Sequence, residues 1–196
     1  MKFDETAINQ LIKNRRSIFP KDYTGERVDD AIVHQMLENA NWAPTHKFTE
    51  PWRFIVYTGG GRKRLGELQA TVYKQKTEVD GTFKEERYQN LFSKPFESSH
   101  VILVYMKRDE KKSIPELEEI GAVFCAIQNM YLTAAAYGVG CYLSTGGVTF
   151  FEESNAAFGL SPEDRILGFF HMGVPKHSNQ VSRRNPIEEK VIWVKE

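Results

Sequence analysis

The chain has 196 residues, about the size of one globular domain, and its 41% hydrophobic and 27% charged content is ordinary globular composition with enough apolar residues for a buried core. Its 26 basic and 26 acidic residues cancel, so no global field recruits nucleic acid or an anionic membrane surface. The longest strongly apolar run, Val101 to Met106, is far below the roughly 20 residues a membrane helix needs, and the start (Met-Lys-Phe-Asp-Glu) has no apolar signal core, so a soluble, cytoplasmic domain spanning 1–196 is expected.

Residues 4 to 14 place Ala7, Ile8, Leu11 and Ile12 on one helical face, with Asp4 as N-cap, and Pro20 bars continuation. A second helix follows a polar turn through Asp22 and Gly25: Ile32, Val33, Met36, Leu37 and Ala40 recur at the helical period, with Asp29 and Asp30 in the opening turn. Trp52 to Tyr57 reads as a strand closed by Gly59-Gly60-Gly61. The charged stretch 62–98 predicts a helix over 62–76, a polar excursion at Asp80-Gly81 and a weak helix near 84–91. Val101 to Met106 does not alternate, so it predicts a strand buried on both faces.

The strongest periodicity lies between 116 and 137. Ile120, Val123, Phe124, Ile127, Tyr131, Ala134 and Ala135 form one stripe, and Ala122, Ala126, Met130, Leu132 and Ala136 make the opposite side largely apolar. A helix apolar nearly all round is buried in a core or against a second subunit. Gly138 and Gly140 end it, Cys141 to Ser144 forms a short strand, and a helix over 150–158, a strand over 165–174 and a last strand over 190–195 complete the chain. Helices first, then strands interspersed with helices, give an α+β fold: a sheet flanked by helices, without repeated βαβ units.

Several chemistries lack their residues. The five histidines show no zinc spacing, no G-x-S-x-G elbow is present, and Cys125 and Cys141 lie outside any C-x-x-C pattern, which predicts free thiols in a reducing compartment. The Gly59–Gly61 turn lacks the G-K-[ST] ending of a phosphate loop, and no G-x-G-x-x-G fingerprint exists. What remains is dispersed: Arg15-Arg16-Ser17 after the first helix, Arg183-Arg184 near the end, Ala43-Pro44-Thr45-His46-Lys47 before Pro51-Trp52, and the loop Ser144-Thr145-Gly146-Gly147. Arginine forks suit phosphate, and a glycine-rich loop can offer backbone N–H groups to a ligand.

Taken together and in order, these stations resemble the nitroreductase family of flavoproteins. Arg15-Arg16-Ser17 is similar to that family's R-R-S motif, and Ala43 to Phe54 (A-P-T-H-K-F-T-E-P-W-R-F) to its block that opens A-P-S/D and closes P-W-x-F, with the His-Lys pair of a small bacterial subgroup carrying A-P-x-H-K. The Ala-rich helix ending A-A-Y-G-V-G-C, the strand Ile166 to Pro175 and Arg184-Asn185-Pro186-Ile187-Glu188-Glu189 resemble the dimer-core helix, penultimate strand and C-terminal motif. Two positions depart from many relatives: Phe19 replaces Arg or Lys, and Phe48 replaces Asn.

The resemblance implies an intertwined homodimer with FMN at the subunit interface and a C-terminal segment reaching onto the partner's sheet. It implies that Arg15, Ser17 and Arg184, with Arg16 close by, hold the FMN phosphate and ribityl chain. Pro44, Thr45, His46 and Lys47 of the neighbouring subunit approach the flavin from its other side, and Leu143, Ser144, Thr145 and Gly146 line the ring. The implied activity is ping-pong hydride transfer from NADH or NADPH to a small electron-poor acceptor such as a nitro compound or quinone, with no side chain required as acid or base. A flavin carrier or sensor without turnover, and a dehalogenase-like or flavin-cleaving enzyme on the same scaffold, remain alternatives.

Overall fold

A computed structural model describes residues 2–177 and 182–196. The elements run α1 (Glu5–Asn14), α2 (Asp30–Ala40), β1 (Trp52–Thr58), α3 (Gly61–Val79), α4 (Glu85–Ser93), β2 (His100–Met106), α5 (Glu116–Ala136), β3 (Gly140–Ser144), α6 (Glu152–Ala157) and β4 (Arg165–Gly173). The four strands form one antiparallel sheet in the order β1-β2-β4-β3, so the mixed helix-and-sheet class expected from the sequence is the one observed.

Local chemistry sets the helix starts. Asp4 accepts a hydrogen bond from Ala7 N at 3.0 Å and Asp29 one from Ala31 N at 2.9 Å, each satisfying an N–H that has no partner within its helix. Gly138, at φ +70°, turns the chain out of α5 in the left-handed region where glycine is free of strain.

Side-chain alternation divides the core in two. Ile102, Val104, Met106, Phe170 and Met172 face α2 and α5, while Val101, Leu103 and Phe169 face the layer built on α3, α4 and α6. The central strand β2 is therefore apolar on both sides, as its unbroken run predicts. On the second face α4 packs so closely on α3 that a Cβ on Gly66 would stand 2.2 Å from the Phe92 carbonyl oxygen, so only glycine fits.

Within one chain helix α5 is buried on one side: Ala122, Val123, Ala126, Ile127, Met130 and Ala134 face the core, while Leu117 and Phe124 stand exposed on the other. The C-terminal segment needs a correction. The strand expected over 190–195 is not formed; Ile187–Lys190 is a 3-10 turn and 191–196 pairs with no described strand of its own chain. A strand exists only where a neighbour takes up its N–H and C=O groups. Ile187, Ile192, Trp193 and Val194 are likewise exposed.

Candidate functional site

The Arg15–Ser17 segment is fixed where α1 ends. Arg15 caps that helix, its N–H donating to Leu11 O, and Ser17 then bridges Cys141 of β3 as a parallel partner. Ile18 N donates to Cys141 O at 2.9 Å, so the segment runs along the free edge of the sheet. Tyr131 on α5 is the hub beneath it. The Arg15 guanidinium lies 5.1 Å from the centre of its ring, its hydroxyl accepts a 2.6 Å hydrogen bond from Leu143 N, and it bonds the Ser17 side chain. Burial raises the Tyr131 hydroxyl pKa, which keeps it protonated beside the guanidinium. Among the described residues no carboxylate pairs with Arg15, so its positive charge is uncompensated. Arg16 folds back to donate to the Lys13 and Arg15 carbonyls at 2.7 and 2.8 Å.

Leu143 and Ser144 close β3, and Thr145 and Gly146 continue into an exposed loop. The approach of β4 to this turn is tight: at Gly168, φ +150°, a Cβ would stand 2.7 Å from the Ser144 carbonyl oxygen. Glycine is required there for the loop to hold its place. Phe19 stacks on Tyr142 with ring centres 4.5 Å apart, so the residue that departs from the family pattern has a packing role at this edge.

The Thr45–Lys47 group lies elsewhere. His46 Nδ1 is 2.6 Å from Glu118 and Lys47 Nζ donates to Ser113 O at 2.9 Å, both beside the start of α5. Thr45 Oγ1 accepts from Glu50 N at 3.1 Å, and Pro44 is exposed. Lys47, Phe48 and Glu50 all have positive φ (51°, 55° and 41°), a clustering of strained backbone that persists only where surroundings enforce it. Glu118 and Tyr131 are thirteen residues apart on one helix, which at 1.5 Å per residue is about 20 Å. Within one chain, therefore, the Thr45–Lys47 group and the Arg15–Ser17–Leu143 group stand at different stations along α5. Arg184 also stands off: its guanidinium donates to Ser182 Oγ at 2.7 Å and Arg183 O at 2.8 Å, both in its own segment.

The structure adds residues that sequence reasoning missed. Behind the Ser144–Gly147 loop is a cavity of about 190 Å³ lined by Gln69 of α3, Arg87 and Asn90 of α4, Lys94, Tyr142 and His171. Lys94 lies 5.6 Å from the Tyr142 ring centre, and burial lowers its pKa. His171 donates to or accepts from Ser98 Oγ at 2.9 Å, and burial, with Lys94 nearby, pushes its pKa down to about 3, so it is neutral. One signal was present in the sequence: Gln69 falls four residues after Leu65 and four before Tyr73, a polar position on a buried helical face.

The chain is similar to known proteins over nearly its whole length. The Bacillus subtilis protein YfhC, provisionally named an NAD(P)H nitroreductase, is 31% identical over 186 residues, 94% of this chain and 93% of its own. A nitroreductase-like family protein from Bacillus cereus superposes with a TM-score of 0.84 at 29% identity, covering 99% of each chain. A structure from Desulfovibrio desulfuricans, provisionally described as a nitroreductase in complex with FMN, does so at 0.72 and 25% identity, again over 99% of each. The Nitroreductase family model matches residues 12–174, and the chain belongs to that family.

Proposed function

We propose that the chain is an FMN-dependent oxidoreductase that accepts hydride from NADH or NADPH and passes it to a small electron-poor acceptor, such as a nitro compound or quinone. The observation that carries this reading is the separation along α5 of two groups that one ligand site needs. Arg15, Ser17 and Leu143 gather at Tyr131, while Pro44, Thr45, His46 and Lys47 are held near Glu118. A second copy of the chain, laid against the exposed Leu117 and Phe124 side of α5, brings one subunit's second group to the other's first. The same homodimer gives the uncovered Ile192, Trp193 and Val194 a sheet edge to pair with.

The donor set fits FMN. Arg15 offers an uncompensated guanidinium and Ser17 a hydroxyl for the phosphate, with Arg16 behind them and Arg184 delivered by the C-terminal segment. Leu143, Ser144, Thr145 and Gly146 give the ring a flat backbone wall, kept in place by the missing Cβ of Gly168. Bound FMN supplies the hydride chemistry; the protein binds it, orients it and limits water access. NAD(P)H and the acceptor then use one cleft in turn, which is ping-pong order. No described side chain is assigned as acid or base.

Arg15→Ala tests the clamp. A charge-assisted hydrogen bond is worth about 1.5–3 kcal/mol, so FMN affinity is expected to fall roughly 10- to 150-fold, with Arg15→Lys intermediate. Flavin absorbance after gel filtration and a fluorescence titration read this directly. An Arg15→Ala protein that retains FMN as the wild type does removes the clamp from the account.

A further inference from the structure

The segment after α1, the end of β3 and helix α5 meet at one hydroxyl group. Tyr131 Oη accepts a 2.6 Å hydrogen bond from Leu143 N and is also bonded to the Ser17 side chain. A backbone N–H can only donate, so Leu143 takes one lone pair of the phenol oxygen. The phenol has one proton to give. Among its described partners Ser17 Oγ is the group able to receive it, since the Arg15 guanidinium lies over the ring face and has no acceptor atom. A phenol proton left without an acceptor at this part-buried position costs the desolvation of the group with nothing in return.

The direction of the Ser17 hydroxyl follows. With its oxygen accepting from Tyr131, the Ser17 proton turns away from the phenol and has no other described partner. Ser17 is half-buried beside Arg15, whose charge no described carboxylate balances. The donors therefore run from Leu143 N–H to Tyr131 Oη, from Tyr131 O–H to Ser17 Oγ, and from Ser17 O–H outward beside a cation. Hydrogen bonds chained in this way polarise one another, so the last donor is stronger than an isolated serine. The ring that carries the phenol is held separately. It packs edge-on against Phe170, ring centres 4.7 Å apart, with the guanidinium 5.1 Å from its own centre. Loss of the hydroxyl alone leaves that packing in place.

We propose that Tyr131 is a positioning residue for the flavin: its hydroxyl turns the Ser17 proton toward the cofactor phosphate and, through Leu143 N, ties the phosphate end of the site to the ring wall. This rests on the FMN reading, in which Ser17 meets the phosphate and Leu143 the ring.

Riboflavin, which is FMN without its phosphate, is the probe. Fluorescence titration of the full chain, stripped of flavin, is expected to show FMN bound at least tenfold more tightly than riboflavin. Tyr131→Phe, with its circular dichroism unchanged, is expected to narrow that ratio about three- to tenfold, the worth of one hydrogen bond. Ser17→Ala narrows it as much, and Ser17→Thr, which keeps a hydroxyl, retains most of it. The double variant Tyr131→Phe/Ser17→Ala narrows it no further than Ser17→Ala alone, because the phenol acts through the serine. A tyrosine with only a packing role would weaken both flavins alike and leave the ratio unchanged. That result overturns the proposal, as does a double variant in which the two effects add, or a ratio that survives Ser17→Ala. Wild type that holds the two flavins equally, with Arg15→Ala no different, removes the phosphate clamp and the role of Tyr131 with it. A ratio that falls in Arg15→Ala but not in Tyr131→Phe keeps the clamp and overturns the role of Tyr131 alone.

Discussion

Glu119→Ala is expected to destabilise the chain by about 3–5 kcal/mol, a large part of a typical domain's stability. Glu119 is fully buried at the start of α5, where one carboxylate oxygen pairs with Arg108 and the other accepts from Asp109 N at 3.0 Å. Arg108 in turn donates to Ile114 O at 3.0 Å, so one carboxylate ties the end of β2 to the loop that launches α5. Alanine leaves a largely buried guanidinium and a backbone N–H without their acceptor. Glu119→Gln keeps the shape and part of the hydrogen bonding, so it is expected to lose less. Urea unfolding of the three proteins checks the order; an alanine variant within about 1 kcal/mol of wild type contradicts the role given to this pair.

The second large effect depends on pH. His171 is 3% exposed and its pKa is lowered to about 3 by burial and by Lys94, whereas the unfolded chain takes up that proton near 6.5. Below pH 6.5 the unfolded state therefore binds more protons than the folded state, and stability falls as pH falls, down to about pH 3. At pH 5 the loss from this one group is about 2 kcal/mol, and at the acid end roughly 4–5 kcal/mol. His100, buried and also held below its usual pKa, acts in the same direction. Unfolding free energies at pH 7.5 and pH 5 for wild type and His171→Gln isolate the effect. The variant is expected to lose about 2 kcal/mol less over that interval, and parallel losses would place the acid sensitivity elsewhere.

Local signals made most of the scaffold legible. Asp4 and Asp29 announce helix starts through side chains that cap nearby N–H groups, and the unbroken Val101–Met106 run announces a strand covered on both faces. These depend on neighbours a few residues apart, which sequence records directly. The residues over 190–195 are apolar and β-prone, but no described strand of their own chain pairs with them, and composition alone cannot supply a pairing edge. The side of α5 left exposed by its own chain follows the same rule: apolar periodicity marks a face without saying which part of the chain packs on it. Arg15 and Leu143 are legible as parts of separate motifs, whereas Tyr131, which joins them, shows in the sequence only as one member of an apolar stripe. Gln69, Arg87 and Lys94 come from three successive elements of a charged segment with weak periodicity, and only tertiary folding shows that they share a cavity.

The most direct measurement is an anaerobic titration of the FMN-loaded protein with NADPH and, separately, NADH. The oxidised flavin absorbance is expected to bleach at about one equivalent of nicotinamide per subunit and to return when a nitroarene or quinone is added. Protein that takes up no FMN, or whose bound flavin stays oxidised in excess of both nicotinamides, contradicts the account.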